Sequence, residues 1–185
     1  FQLKKLRNLH YRAGKVIVST QSTTDLRNIP SNSVDYIFVD PPFGANIMYS
    51  ELNFMPESWL GVKTNNEDEA IVNNAQGKSV IEYTSLMTRC FSELFRVLKP
   101  NRWITIEFHN SKNAIWNAIQ ESVSVAGFII ADVRTLNKEK KTVMQYKSNN
   151  TVDQDLVISA YKPKNTFRQE FIKQVGSEET AWSFV

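Results

Sequence analysis

The residues with the clearest chemical potential stand four in a row: Asp40, Pro41, Pro42 and Phe43. An ionised Asp40 only accepts hydrogen bonds, and the carbonyls of Asp40 and Pro41 accept as well, so this corner is a cluster of oxygens suited to holding an amino group. Two consecutive prolines supply no N–H and fix their own φ, which stiffens the corner and stops any strand from continuing through it. Phe43 adds a flat face for stacking. No nucleophilic side chain and no metal are required. Holding both N–H bonds of a conjugated amine favours its pyramidal form, and charge that develops on nitrogen during attack meets preorganised oxygens.

The element that must present this corner is residues 34–39, Val-Asp-Tyr-Ile-Phe-Val, rich in β-branched and aromatic side chains. Such a run reads as a parallel strand covered on both faces. The corner therefore stands at a strand's carboxyl end, where open α/β sheets bind their ligands.

The tetrapeptide resembles the Asp/Asn/Ser-Pro-Pro-Tyr/Phe/Trp motif of the DNA amino-methyltransferases, which methylate adenine N6 or cytosine N4 from S-adenosylmethionine. The resemblance extends through residues 33–44, 46–53, 96–100, 107–111 and 155–159, and so covers most of the chain. It implies an α/β fold with the Rossmann-like sheet of class I methyltransferases, mostly parallel and closed by an antiparallel strand pair. It also implies S-adenosylmethionine as cofactor, no metal, and double-stranded DNA whose target base is flipped out, because a paired amino group is unreachable from a buried corner. In that reading Asp40 and the Pro41 carbonyl hold the amine, Pro42 stiffens the turn and Phe43 stacks on the base. Asp25 and Asp40 lie near the cofactor. Aspartate at the first motif position leans toward adenine N6. Cytosine N4, or an amine in RNA or protein, would keep the chemistry and change the substrate; a non-catalytic module that binds nucleic acid or a partner subunit is the rival of a different class.

Composition sets the bounds. With 185 residues, 42% hydrophobic and 22% charged, the chain has the size and make-up of one ordinary globular domain. A net charge of +3 and a pI near 8.9 permit a polyanionic partner without demanding one. Cys90 is the single cysteine, which rules out an internal disulfide and suits a reducing compartment; it falls among apolar residues at helical spacing and reads as core. His10 and His109, with no second cysteine, make no zinc set. No long apolar span is present, and a cytoplasmic protein is expected. The family resemblance leaves room for a restriction or accessory subunit.

In chain order, residues 1–14 form a basic lead-in with Lys4, Lys5, Arg7 and Arg12, either a solvated helix or linker or a nucleic-acid arm. Residues 15–163 form the catalytic part, opening with a strand at 15–19. Asp25 either sits near the cofactor pocket or caps a short helix that follows. Residues 44–79 are a substrate-side insertion longer than compact domains leave structureless. Its pattern predicts short helices, with Met48, Leu52 and Met55 on one face and Pro56 in the first turn of a second piece. Tyr49, Glu51 and Asn53 either line a base pocket or simply pack a lid; residues 65–74, acidic and amide-rich, read as exposed.

Leu86, Met87, Cys90, Phe91, Leu94, Phe95 and Leu98 recur at three-and-four spacing and predict a helix over 81–98, stopped at Lys99-Pro100-Asn101. A strand at 103–108 follows, with Glu107 and Asn110 emerging at its end; either could touch substrate, while Asn110 or Ser111 could instead cap the next helix, predicted at 112–126. Strands at 128–133 and 155–161 are joined without helical period, which predicts an antiparallel pair. The link between them carries Lys138, Lys140, Lys141, Tyr146 and Lys147, either a phosphate-contacting loop or a solvated tip. Residues 164–185 begin a further extension.

A glycine-rich cofactor turn is missing: the six glycines include no G-x-G spacing, and no acidic residue follows a second strand to hold the ribose. The sheet is therefore expected to be incomplete, and the chain is expected to be a piece of a longer protein whose cofactor motif lies in an upstream segment.

Overall fold

A computed structural model describes residues 16, 21–45, 47–109, 112–137 and 154–164. The basic lead-in, the expected strand at 15–19 apart from Val16, the lysine-rich link and the chain from residue 165 lie outside the described residues.

Four strands form one sheet in the order β1-β2-β4-β3, where β1 is Val34–Val39, β2 Leu98–Phe108, β3 Ile129–Asn137 and β4 Gln154–Tyr161. β1 pairs with β2 in parallel, with Ile37 opposite Ile104 and Val39 opposite Ile106. β4 lies between β2 and β3 and runs antiparallel to both. Three strands thus share one direction and the last opposes them, which bears out the mostly parallel sheet with an antiparallel closing pair.

Two helices cover one face. The first is Val80–Val97, which we call α2; the second is Asn113–Val125, α3. α2 starts where Ser79 and Glu82 form a capping box: the Ser79 N–H donates to Glu82 Oε2 at 2.7 Å, and the Ser79 hydroxyl accepts from the Ile81 N–H at 3.1 Å. Its buried stripe of Tyr83, Leu86, Met87, Phe91, Leu94 and Val97 packs with Ile115, Ile119 and Val123 of α3 over Ile37, Ile104, Ile106, Phe108 and Ile158 of the sheet. The opposite face is open among the described residues. Tyr36 and Phe38 are 55% and 58% exposed, so β1 is covered on one face rather than the two that its apolar run suggests.

The predicted stop after α2 takes a different form. The helix ends at Val97, and Leu98, its C-cap, already opens β2, so the strand begins five residues before the predicted 103. Pro100, with no N–H for a ladder, is accommodated by an irregularity: the register passes from Val34↔Leu98 directly to Tyr36↔Trp103, and Asn101 takes a left-handed φ of 57°.

The insertion also differs from the two short pieces predicted. It holds one α-helix, α1 (Tyr49–Leu60), with Pro56 inside it, and a single 3-10 turn at Asn74–Gln76. No residue of α1 is buried and Trp59 is 88% exposed, so water can satisfy the Leu52 carbonyl that Pro56 leaves without an N–H partner. Gly61 ends it in a left-handed conformation, its N–H on the Glu57 carbonyl. In the acidic stretch read as exposed, Ala70 and Ile71 are buried, pinned by the Lys78 ammonium, which donates to the carbonyls of Asn66 and Glu69 at 2.6 and 2.8 Å.

Candidate active site

The hydrogen-bonded strand ends at Val39, and Asp40 opens the corner beside it. With no N–H on Pro41 or Pro42, only donors from elsewhere can fix the corner's carbonyls. α2 supplies one. Tyr83, fully buried in its second turn, donates its hydroxyl to the Pro42 carbonyl at 2.7 Å. Burial pushes the Tyr83 phenol well above its ordinary range, so it stays a donor at any working pH.

After the corner, Phe43 is half-buried, edge-to-face against Phe108 at 5.5 Å between centroids and near the His109 ring at 6.2 Å. Gly44 follows with φ +74°, a value that L side chains rarely adopt, and a Cβ there would stand 3.1 Å from Ile115 Cδ1. Its carbonyl accepts from the Val72 N–H at 3.3 Å, joining the corner to the insertion.

A cavity of about 350 Å³ opens beside Asp40 and the two prolines, within the range of small-molecule sites. Its floor is apolar, from the buried Met87, Phe91 and Leu94, and the acidic residues Asp40, Asp68 and Glu69 also line it. Tyr49, the first residue of α1, reaches the same space: its hydroxyl is held above its usual range first by burial and then by the charge of Asp40. Cys90 also lines the cavity, and burial pushes its thiol up to about 11. On the far rim stand Ser22, Thr23 and Thr24, with the Ser22 and Thr24 hydroxyls 2.8 Å apart. Their loop is tied to α2 by Glu93, which accepts from the Leu26 N–H at 2.8 Å, and by Arg96, which donates to the Leu26 and Ile29 carbonyls.

The structure therefore gathers Asp40, Pro41, Pro42 and Tyr49 around one hollow. Phe43 does not line it. Glu51 borders a second groove, between α1 and residues 63–76, and Asn53 is exposed on α1. Asn110 lies outside the described residues. Asp25 turns to Arg27, whose guanidinium bonds hold its carboxyl below the usual range, and its Oδ1 accepts from the Arg27 N–H at 3.1 Å in a turn where no helix forms. Sequence reasoning passed over Ser22, Thr24, Asp68, Glu69 and Tyr83; polar residues in loops, and a tyrosine on an apolar helix face, carry no local mark of a site.

Carboxylates and hydroxyls over an apolar floor suit a group with a positive charge and a flat, largely apolar body, as S-adenosylmethionine has in its sulfonium and adenine. Among the described residues no cluster of His, Cys, Asp and Glu could hold a metal ion.

The strand order, with an antiparallel β4 set between two parallel neighbours and an acidic corner at the carboxyl end of β1, defines the class I S-adenosylmethionine-dependent methyltransferase fold. More particularly, the chain belongs to the N6/N4 DNA methylase family, whose profile matches residues 34–184. Among solved structures it resembles the PvuII DNA methyltransferase (cytosine-N4-specific), with 14% identity, a TM-score of 0.51, and 78% of this chain and 49% of that one covered. It also resembles the [4+2]-cyclase SpnF, at 14% identity and a TM-score of 0.50 over 88% and 61%. The M1.HpyAVI–SAM complex is a further neighbour, at 14% identity and a TM-score of 0.37 over 74% and 47%. No curated protein matches the sequence. The chain spans about half the length of the DNA methyltransferase structures it resembles. A cyclase among these neighbours shows that the fold alone does not select a reaction.

Proposed function

We propose that this chain carries the catalytic corner of an S-adenosylmethionine-dependent DNA amino-methyltransferase that acts on the N6 amino group of a flipped-out adenine. The observation that carries the proposal is the meeting of Asp40 and Pro41 with a cavity of about 350 Å³ at the carboxyl end of β1. Membership of a family that uses S-adenosylmethionine supports the cofactor, and the family's substrate supports DNA. When bound, the cofactor supplies an electrophilic methyl group on a sulfonium.

The chain's own part is to hold and orient. The Asp40 carboxylate and the Pro41 carbonyl would accept the two N–H bonds of the amine and orient its lone pair toward the cofactor side, and Asp40 would pass the surplus amine proton to solvent. Phe43, half-buried against Phe108, would offer its ring to the extruded base. Tyr49 bounds the site from α1. Ser22 and Thr24, rather than Asp25, are the hydroxyl partners proposed for the cofactor side. A cytoplasmic enzyme fits this substrate, and among the described residues no helix is long and apolar enough to cross a membrane.

The test is methyl transfer by the full-length gene product. Asp40→Ala should abolish labelling of DNA while binding of S-adenosylmethionine persists. Mass spectrometry of nucleosides from treated DNA should show N6-methyladenine; N4-methylcytosine would move the assignment to cytosine, and full turnover by the variant would overturn the corner's role.

A further inference from the structure

We propose that Tyr83 is a positioning residue for the methyl transfer: its hydroxyl engages the Pro42 carbonyl and so fixes the corner that presents Asp40 and Pro41 to the amine. The inference rests on the function proposed above and adds a residue on a different element.

The Asp40-Pro41-Pro42 corner leaves its strand with no N–H on two successive residues, so neither the ladder nor a following helix can hold it. The Tyr83 bond supplies the missing restraint by tying the corner to α2. Its donor is well suited to the task. Tyr83 is fully buried, so water does not compete for the bond, and it directly follows Glu82 of the capping box that fixes the start of α2. At the other end, α2 is anchored by Arg96 and Glu93 to residues 26–29, whose loop also brings Ser22 and Thr24 to the cavity. One helix thus sets the corner, the floor and the far rim of the same hollow.

Tyr83→Phe keeps the ring and its packing and removes only the donor. In the full-length protein we expect kcat for methylation of DNA to fall by about 10- to 100-fold, the effect of a small misplacement of reacting groups. KM for DNA and affinity for S-adenosylmethionine should stay as in the parent. A purely structural role would instead lower the thermal midpoint and the fraction of active enzyme with kcat per active site unchanged, and that result would overturn the proposal. Asp40→Ala is assayed alongside. If Asp40→Ala is inactive and Tyr83→Phe turns over at the parent rate, the positioning role fails while the assignment of the corner stands. If Asp40→Ala remains active, the assignment fails and the role of Tyr83 falls with it. Should Tyr83→Phe not fold, 3-fluorotyrosine at position 83 preserves the ring and alters donor strength; a kcat identical to that of tyrosine would then overturn the proposal.

Discussion

The carboxylate of Glu69 accepts two hydrogen bonds from Ser50, one from its backbone N–H at 2.9 Å and one from its hydroxyl at 2.7 Å. Ser50 is the second residue of α1, and Met48 at the N-cap provides no side-chain cap, so Glu69 satisfies an orphan N–H from 19 residues away. Because α1 buries none of its side chains, this bond is a main tether of the helix that brings Tyr49 to the cavity. Glu69→Ala should cost about 1 kcal/mol, the usual worth of a helix cap, and this cost should be local. Hydrogen exchange checks it: amides at the start of α1 should exchange faster, and those of α2 should not.

The same carboxylate gives α1 a dependence on pH. Burial acts to raise the Glu69 pKa, but the bonds from Ser50, Gln76 and the charge of Lys78 outweigh it and the net position is lowered. A carboxyl whose folded pKa is depressed contributes stability that is present above its unfolded pKa and is lost as pH falls through the folded value. Exchange protection at the start of α1 should therefore hold at neutral pH and fade below the ordinary glutamate range, and Glu69→Gln should flatten that dependence.

Lys162 holds the other end of the molecule. Its buried ammonium donates to the carbonyls of Phe95 and Leu98 at 2.6 and 2.8 Å and to Asn32 Oδ1 at 2.7 Å, and it stands 4.6 Å from the centre of the Phe95 ring. It thereby closes the last carbonyls of α2 and joins β4 to the turn before β1. Lys162→Met fits the space but leaves these acceptors without a donor, at about 1–3 kcal/mol for each one that water does not reach. Thermal unfolding should show a fall of about 2–4 °C for each kcal/mol lost.

Gly44→Ala should destabilise by about 1–2 kcal/mol from its left-handed φ. The new Cβ also meets Ile115 at 3.1 Å. Adding Ile115→Val removes the Cδ1 contact but keeps both γ-carbons at 3.3 Å, so it should recover some of the crowding and none of the part due to φ, which calorimetry of the single and double variants will check.

Cys90 should be sluggish toward alkylation. With its thiol pushed up to about 11, the thiolate fraction near pH 8 lies roughly 100-fold below that of an unperturbed cysteine. Labelling by iodoacetamide should be correspondingly slow and should accelerate as pH rises toward that value. Since Cys90 lines the cavity, S-adenosylhomocysteine should slow it further.

Much of this architecture could be read from the chain because it is written in local periods. The two-proline stop ends β1 where it must; three-and-four spacing marks α2; an apolar strand pair without a helical link marks the antiparallel closure. Pro56 and Pro100 show the limit of such rules. Each was read as a boundary, yet Pro56 is carried inside an exposed helix and Pro100 within a bulged strand, because a missing N–H is harmless wherever water or an irregular register takes up the loss.

Residue types and spacing alone determined the acceptor corner and the alternation of elements that sets it at a strand's end, since both depend on neighbours a few positions apart. Only the tertiary structure decided which groups share the hollow. Tyr83 reaches Pro42 across 41 residues, Glu69 reaches Ser50 across 19, and Lys162 reaches Asn32 across 130. Such partners are chosen by where packed helices and strands deliver a side chain, and periodicity along the chain carries no information about that distance.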